Sequence, residues 1–145
     1  MKNTLFALFV LIHFNSFSQT ITNYHVSDGL IDDNVLCVSI DLDDNLWFGT
    51  QKGVSKFDGN IWESHSMSTD SGMVSNTISA IHAASNGEIW IGTDFGACVY
   101  NGSYWIKYNT TNGMGDNRIN YITESSDGRI WFGDYDGVTI FDGTN

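Results

Sequence analysis

No proline occurs among the 145 residues, cysteine appears only twice, and six lysines and arginines stand against seventeen aspartates and glutamates. Each shortage excludes a class of answers. A formal charge of −11 repels phosphate backbones and anionic lipid, so nucleic acid and membrane-surface partners are disfavoured. No cysteines and histidines cluster at the short spacing that zinc requires, and no metal site is assigned. Neither a Gly-Ser nucleophile elbow nor a phosphate loop is present, so no catalytic residue and no cofactor is expected within this segment. Long apolar runs are also missing. The one candidate, Leu5 to Phe14, is about half the ~20 residues that span a bilayer. With Lys2 before it and Ser16-Phe17-Ser18 after it, that run predicts a cleaved export signal over residues 1–18 and no membrane insertion once it is removed.

What the chain has instead is glycine and aromatic rings. Fifteen glycines and 14% aromatic residues point to many short strands joined by tight turns, an all-β composition. One phrase is written three times: Leu46-Trp47-Phe48-Gly49-Thr50, Ile89-Trp90-Ile91-Gly92-Thr93 and Ile130-Trp131-Phe132-Gly133-Asp134. It recurs after 43 and then 41 residues, within the ~40–50 residue period of four-stranded propeller blades. Aligned on that phrase, the segments starting at Gly29, Gly72 and Gly113 fall into register, and the length difference lies in the loop before Gly72.

Turn chemistry divides each unit into four strands. In the first these are Val35 to Ile40, Leu46 to Gly49, Val54 to Phe57 and Ile61 to His65. Asn86-Gly87 and Asp127-Gly128 are favoured two-residue hairpin turns; Gly53, Gly96 and Gly137 mark the next connection, and Asp58-Gly59, Asn101-Gly102 and Asp142-Gly143 the last. Val35 and Val38, with their counterparts Ile78 and Ile81 and Ile119 and Ile122, are spaced as in strands buried on both faces. The repeated context of Trp47, Trp90 and Trp131 predicts packing between blades rather than ligand stacking. Cys37 and Cys98 occupy different repeat positions on different strands, so two buried, unpaired thiols are expected.

The motif Gly-Leu-x-x-Asn-x-Val, then Asp-Gly-x-Leu-Trp-Ile-Gly-Thr, then Gly-Val-x-x-Phe-Asp-Gly, carried by residues 29 to 143, resembles the two-component regulator propeller repeat. Asp33, Asp44 and Asp134 depart from it, standing in place of Asn, Gly and Thr. The resemblance implies an exported or periplasmic propeller of the kind found in hybrid two-component sensors, whose ligands are glycan fragments. Signalling rests on the resemblance alone; a secreted or surface-anchored interaction scaffold, or the non-catalytic part of an exported enzyme, is the alternative.

The expected organisation is a clasp strand and linker over residues 19–28, blade 1 over 29–71, blade 2 over 72–112 and an incomplete blade 3 over 113–145. Rings typically need ~4–8 blades. Three blades therefore imply partners: further blades of a longer chain, or a second copy completing a six-bladed ring.

Specificity in such a scaffold resides in the loops that depart from the repeat. On the face shared by two sets of loops these residues are Asp32, Asn34, Lys52, Asp94, Phe95, Asp116, Arg118, Tyr135 and Asp136. Phe95 and Tyr135 have the rings to stack on a sugar, and Asp94, Asp136 and Arg118 the groups to bind its hydroxyls. Asn76 and Asn117 recur and are assigned to turn capping. Asp41 to Asn45 opens like a calcium loop, but Leu46 and Lys52 stand where Gly and Glu belong, so it is read as an acidic hairpin.

Overall fold

The computed structural model describes residues 20–143; the expected export signal lies outside them. Three antiparallel meanders follow one another. Blade 1 comprises β1 (Val35–Ile40), β2 (Leu46–Thr50), β3 (Val54–Phe57) and β4 (Trp62–His65), hydrogen-bonded in that order. Blade 2 repeats it with β5 (Ala80–Ala83), β6 (Ile89–Thr93), β7 (Gly96–Tyr100) and β8 (Trp105–Tyr108). Blade 3 has β9 (Ile119–Glu124), β10 (Ile130–Asp134) and β11 (Val138–Phe141), which leaves the outer edge of β11 without a neighbour among the described residues.

The inner strand of blade 2 is shorter than the repeat predicts, and the joint explains why. Ile78 N–H donates to Thr50 O of blade 1 (2.9 Å) and Ser79 N–H to Gly92 O (2.9 Å), so the first residues of that stretch are tied down before the ladder begins. At the first joint Ile78 lies against Gly49, and at the second Ile119 lies against Gly92. A Cβ on Gly49 would sit 2.7 Å from Ile78 Cγ2, and one on Gly92 2.6 Å from Ile119 Cγ2. Glycine is required there because the next blade's first aliphatic residue takes the space, together with Cys37 Sγ of the same blade at Gly49.

Two apolar cores result, each straddling a joint. Trp47, Val54, Met73, Ile78, Ile81, Ile89 and Trp105 fill the first; Trp90, Ala97, Val99, Met114, Ile119, Ile122 and Phe132 fill the second. Trp47 and Trp90 are buried and Trp131, which has no following blade among the described residues, is half-buried. Cys98 is buried and Cys37 half-buried, both free; burial pushes each thiol up to about 11, so neither is a nucleophile at neutral pH.

Residues 20–25 belong to no sheet, because no strand lies beside them among the described residues. Their end is nevertheless placed as an outer strand's end is placed. Tyr24 packs tilted or edge-on against Phe57 (5.3 Å between ring centroids) and Trp62 (5.6 Å), as His65 does against Tyr100 (5.4 Å) and Trp105 (5.5 Å), and as Tyr108 does against Phe141 (5.2 Å). Two residues further on, the backbone N–H of Val26, Met67 and Thr110 donates to Asp33, Asn76 and Asn117 respectively (2.8, 2.8 and 2.9 Å). Asp33 thus performs the repeat's Asn role, since only the side-chain oxygen is used.

Candidate functional site

The non-repeating loop residues fall into two groups. On blade 1, Lys52 Nζ reaches Asp32 Oδ1 at 3.2 Å, with Lys52 exposed and Asp32 half-buried. On blade 3, Arg118 grips Asp116 through two parallel bonds, Nε to Oδ1 at 3.1 Å and Nη2 to Oδ2 at 3.2 Å. The same guanidinium lies 3.6 Å from the centroid of the Tyr135 ring. This is a stacked cation and ring held flat by a carboxylate behind it.

Electrostatics bind a fourth residue into the second group. The bond to Asp116 holds the Arg118 guanidinium above its ordinary range, with Asp94 contributing charge from blade 2; the same bond holds the Asp116 carboxyl below its own. The backbones meet as well, since Gly96 N–H donates to Asn117 O (2.8 Å) and so fixes the loop of Asp94 and Phe95 beside the loop of Arg118. Phe95 is 66% exposed and Tyr135 70% exposed. Asn34 and Asp136 are exposed; Asp136 donates its backbone N–H to Asp134 Oδ1 (3.1 Å).

One expectation changes form. Arg118 already covers one face of Tyr135, so a ligand ring has the other face and the exposed Phe95 available. The pairing was not legible in the sequence because Arg118 and Tyr135 sit on different loops at positions the other blades fill differently.

A second feature was not singled out from sequence. The inner strands β1, β5 and β9 line a cavity of about 480 Å³ walled by polar Ser39, Ser79, His82, Asn120 and Thr123 among aliphatic neighbours. At its rim Ser85 donates its N–H (2.8 Å) and hydroxyl (2.5 Å) to Glu124, and His82 Nε2 stands 3.7 Å from the same carboxylate. Ser85 above all, with His82 behind it, holds the Glu124 carboxyl below its usual range against a smaller opposing effect of burial. The alternation of inward polar and aliphatic residues carries a faint signal for this wall.

Asp41, the head of the acidic hairpin, is occupied by protein donors. It accepts from Asp43 N, from Asn45 N and Nδ2, and from Trp47 Nε1 at 2.8 Å. Among the described residues no group of three or more His, Cys, Asp and Glu side chains is arranged to hold a metal ion. No helix of the described residues is long and apolar enough to cross a membrane.

Comparison with known proteins bears on the repeat and the fold. Residues 72–95 and 113–136 match the family described as the two component regulator propeller. No curated protein sequence matches the chain. Among solved structures, the extracellular domain of a B. thetaiotaomicron protein described as a hybrid two component system superposes with a TM-score of 0.73 at 23% identity, over 84% of this chain. A streptogramin B lyase (TM-score 0.56, 18% identity, 81% of this chain) and the virginiamycin B lyase of Staphylococcus aureus (0.56, 16%, 77%) also align. The chain spans 17% of the length of the first of these structures, 43% of the second and 42% of the third. At such identities the likeness is one of fold, and the fold is that of propeller blades. The second and third repeats of this chain are thus similar, over residues 72–95 and 113–136, to the two component regulator propeller repeat.

Proposed function

We propose that the chain is the blade-forming part of an exported, periplasmic or cell-surface propeller that binds an extracellular ligand, a glycan fragment, as the input region of a two-component signalling protein. The observation that carries this reading is the Arg118–Tyr135 stack braced by Asp116, beside Asp94 and the exposed ring of Phe95. Sugars present apolar ring faces and outward hydroxyls, and this site offers rings for the faces and charged groups for the hydroxyls. The family match and the extracellular, hybrid two component description of the aligned structure support the setting. Residues 1–18 act as the export signal in this reading. In this reading the described segment binds its ligand: both thiols are held protonated by burial, and Asp41 and Asp116 are engaged by their own loops.

Isothermal titration with a panel of neutral and acidic oligosaccharides tests the site. Phe95→Ala with Tyr135→Ala should weaken binding by at least tenfold while circular dichroism stays unchanged. Arg118→Lys should also weaken it, because lysine keeps the charge and loses the flat, bidentate group. Unchanged affinity in the double variant would remove these residues from the site.

A further inference from the structure

We propose that Asn101 is a site of spontaneous modification: in the folded chain it loses its side-chain amide through a cyclic imide with Gly102, while Asn86 and Asn112, which also precede glycine, are protected. The chemistry needs only water. The Gly102 amide nitrogen attacks Asn101 Cγ and its proton passes to solvent; the N–Cγ bond forms, the Cγ–Nδ2 bond breaks and ammonia leaves. Water then opens the five-membered imide at either carbonyl, giving aspartate or, with the main chain rerouted through Cβ and Cγ, isoaspartate. Nothing is oxidised or reduced.

Exposure does not separate the three Asn-Gly pairs. All of these residues are exposed, and a Cβ on Gly87, Gly102 or Gly113 would meet nothing within 4 Å. Hydrogen bonding does separate them. At the first pair the nucleophile is tied up, since Gly87 N–H donates to Ala84 O (2.9 Å). The Asn86 amide is held as well, Nδ2 donating to Glu88 Oε2 (2.9 Å) and Oδ1 accepting from Glu88 N–H (3.0 Å). Asn112 is gripped at both ends, Oδ1 accepting from Asn109 N–H (2.6 Å) and Nδ2 donating to Lys107 O (3.0 Å). An amide whose nitrogen is bonded in this way must break that bond before ammonia can leave.

Asn101 differs at each atom the reaction uses. Its Oδ1 accepts from Ser103 N–H and Tyr104 N–H (both 3.1 Å), and neither its Nδ2 nor the Gly102 N–H has a hydrogen-bond partner among the described residues. Two backbone donors aimed at a carbonyl oxygen are the arrangement that stabilises the oxyanion formed when a nucleophile adds to the carbon. The turn thus activates its own amide. The aspartate product is one the scaffold already uses: Asp58 stands at this position in blade 1, and its Oδ1 accepts from Asn60 N–H and Ile61 N–H (2.8 and 2.7 Å). Isoaspartate lengthens the main chain inside the hairpin that pairs Tyr100 with Trp105, whose ring is buried in the first joint. Asn101 lies in blade 2, which has a described blade on either side.

Peptide mapping by mass spectrometry of the full chain, held folded in mildly alkaline buffer, reads the conversion at each asparagine. Asn101 should convert about tenfold faster than Asn86 or Asn112, or more, as two aligned donors on the reacting carbonyl predict. The same chain in concentrated urea should convert all three at similar rates, because each is then simply an asparagine before a glycine. Isoaspartate should appear at residue 101 beside aspartate. No conversion at Asn101 in the folded chain, Asn86 or Asn112 keeping pace with it, or a preference for Asn101 that persists in urea would overturn the proposal.

Discussion

At the scale of single residues, the three repeat tryptophans are not equally satisfied. Trp47 Nε1 donates to Asp41 (2.8 Å) and Trp131 Nε1 to Ser125 Oγ (2.9 Å). The corresponding residue of blade 2 is Ala84, and the buried Nε1 of Trp90 has no partner. Ala84→Ser should therefore stabilise the fold by about 1 kcal/mol in urea denaturation, the usual net value of one buried hydrogen bond. Asp41→Ala runs the other way, orphaning Trp47 Nε1 and the hairpin N–H groups at a cost of about 1–3 kcal/mol. Asp44 has φ 62°, at the hairpin position where Gly87 and Gly128 stand, so Asp44→Gly should be neutral or mildly stabilising and Asp44→Val clearly destabilising. The pH dependence has a definite sign. Burial pushes the Asp41 and Asp70 carboxyls up but is outweighed, by bonds from Trp47 and Asn45 at Asp41 and from Thr69 and His65 at Asp70; both end below their ordinary range, as does Glu124. Groups depressed in the folded state add stability above their unfolded pKa of about 4 and lose it as pH falls through the folded value. Thermal melting should accordingly drop steeply below pH ~4, and less so in Asp41→Asn.

At the scale of elements, what holds the blades in order is a small set of reused devices. The side-chain oxygen of Asp33, Asn76 or Asn117 pins the exit of the preceding outer strand, and an aliphatic residue then fills a glycine seat. Asn117→Ala should free the Thr110 N–H and loosen the 3-10 turn Thr110–Asn112, read as faster hydrogen exchange there with little change at β5 to β8. Most of this layer was legible beforehand: the strands of blade 1 fall within a residue of their expected ends, because glycine turns fix where a hairpin folds back. The clasp strand expected within residues 19–28 makes, in the structure, an outer strand's end contacts without a ladder. The Arg118–Tyr135 stack was not legible, because a repeat predicts what recurs and this contact occurs in one blade.

At the scale of the whole molecule, blade 2 is the only described blade with a joint on both sides, so its β6 and β7 should exchange amide hydrogens most slowly. The seating of Tyr24 on Trp62 carries one more consequence. The half-buried indole, 5.6 Å from that ring, is a built-in optical reporter of the leading segment: trimming the chain to residue 26 should shift tryptophan emission to longer wavelength as water reaches Trp62.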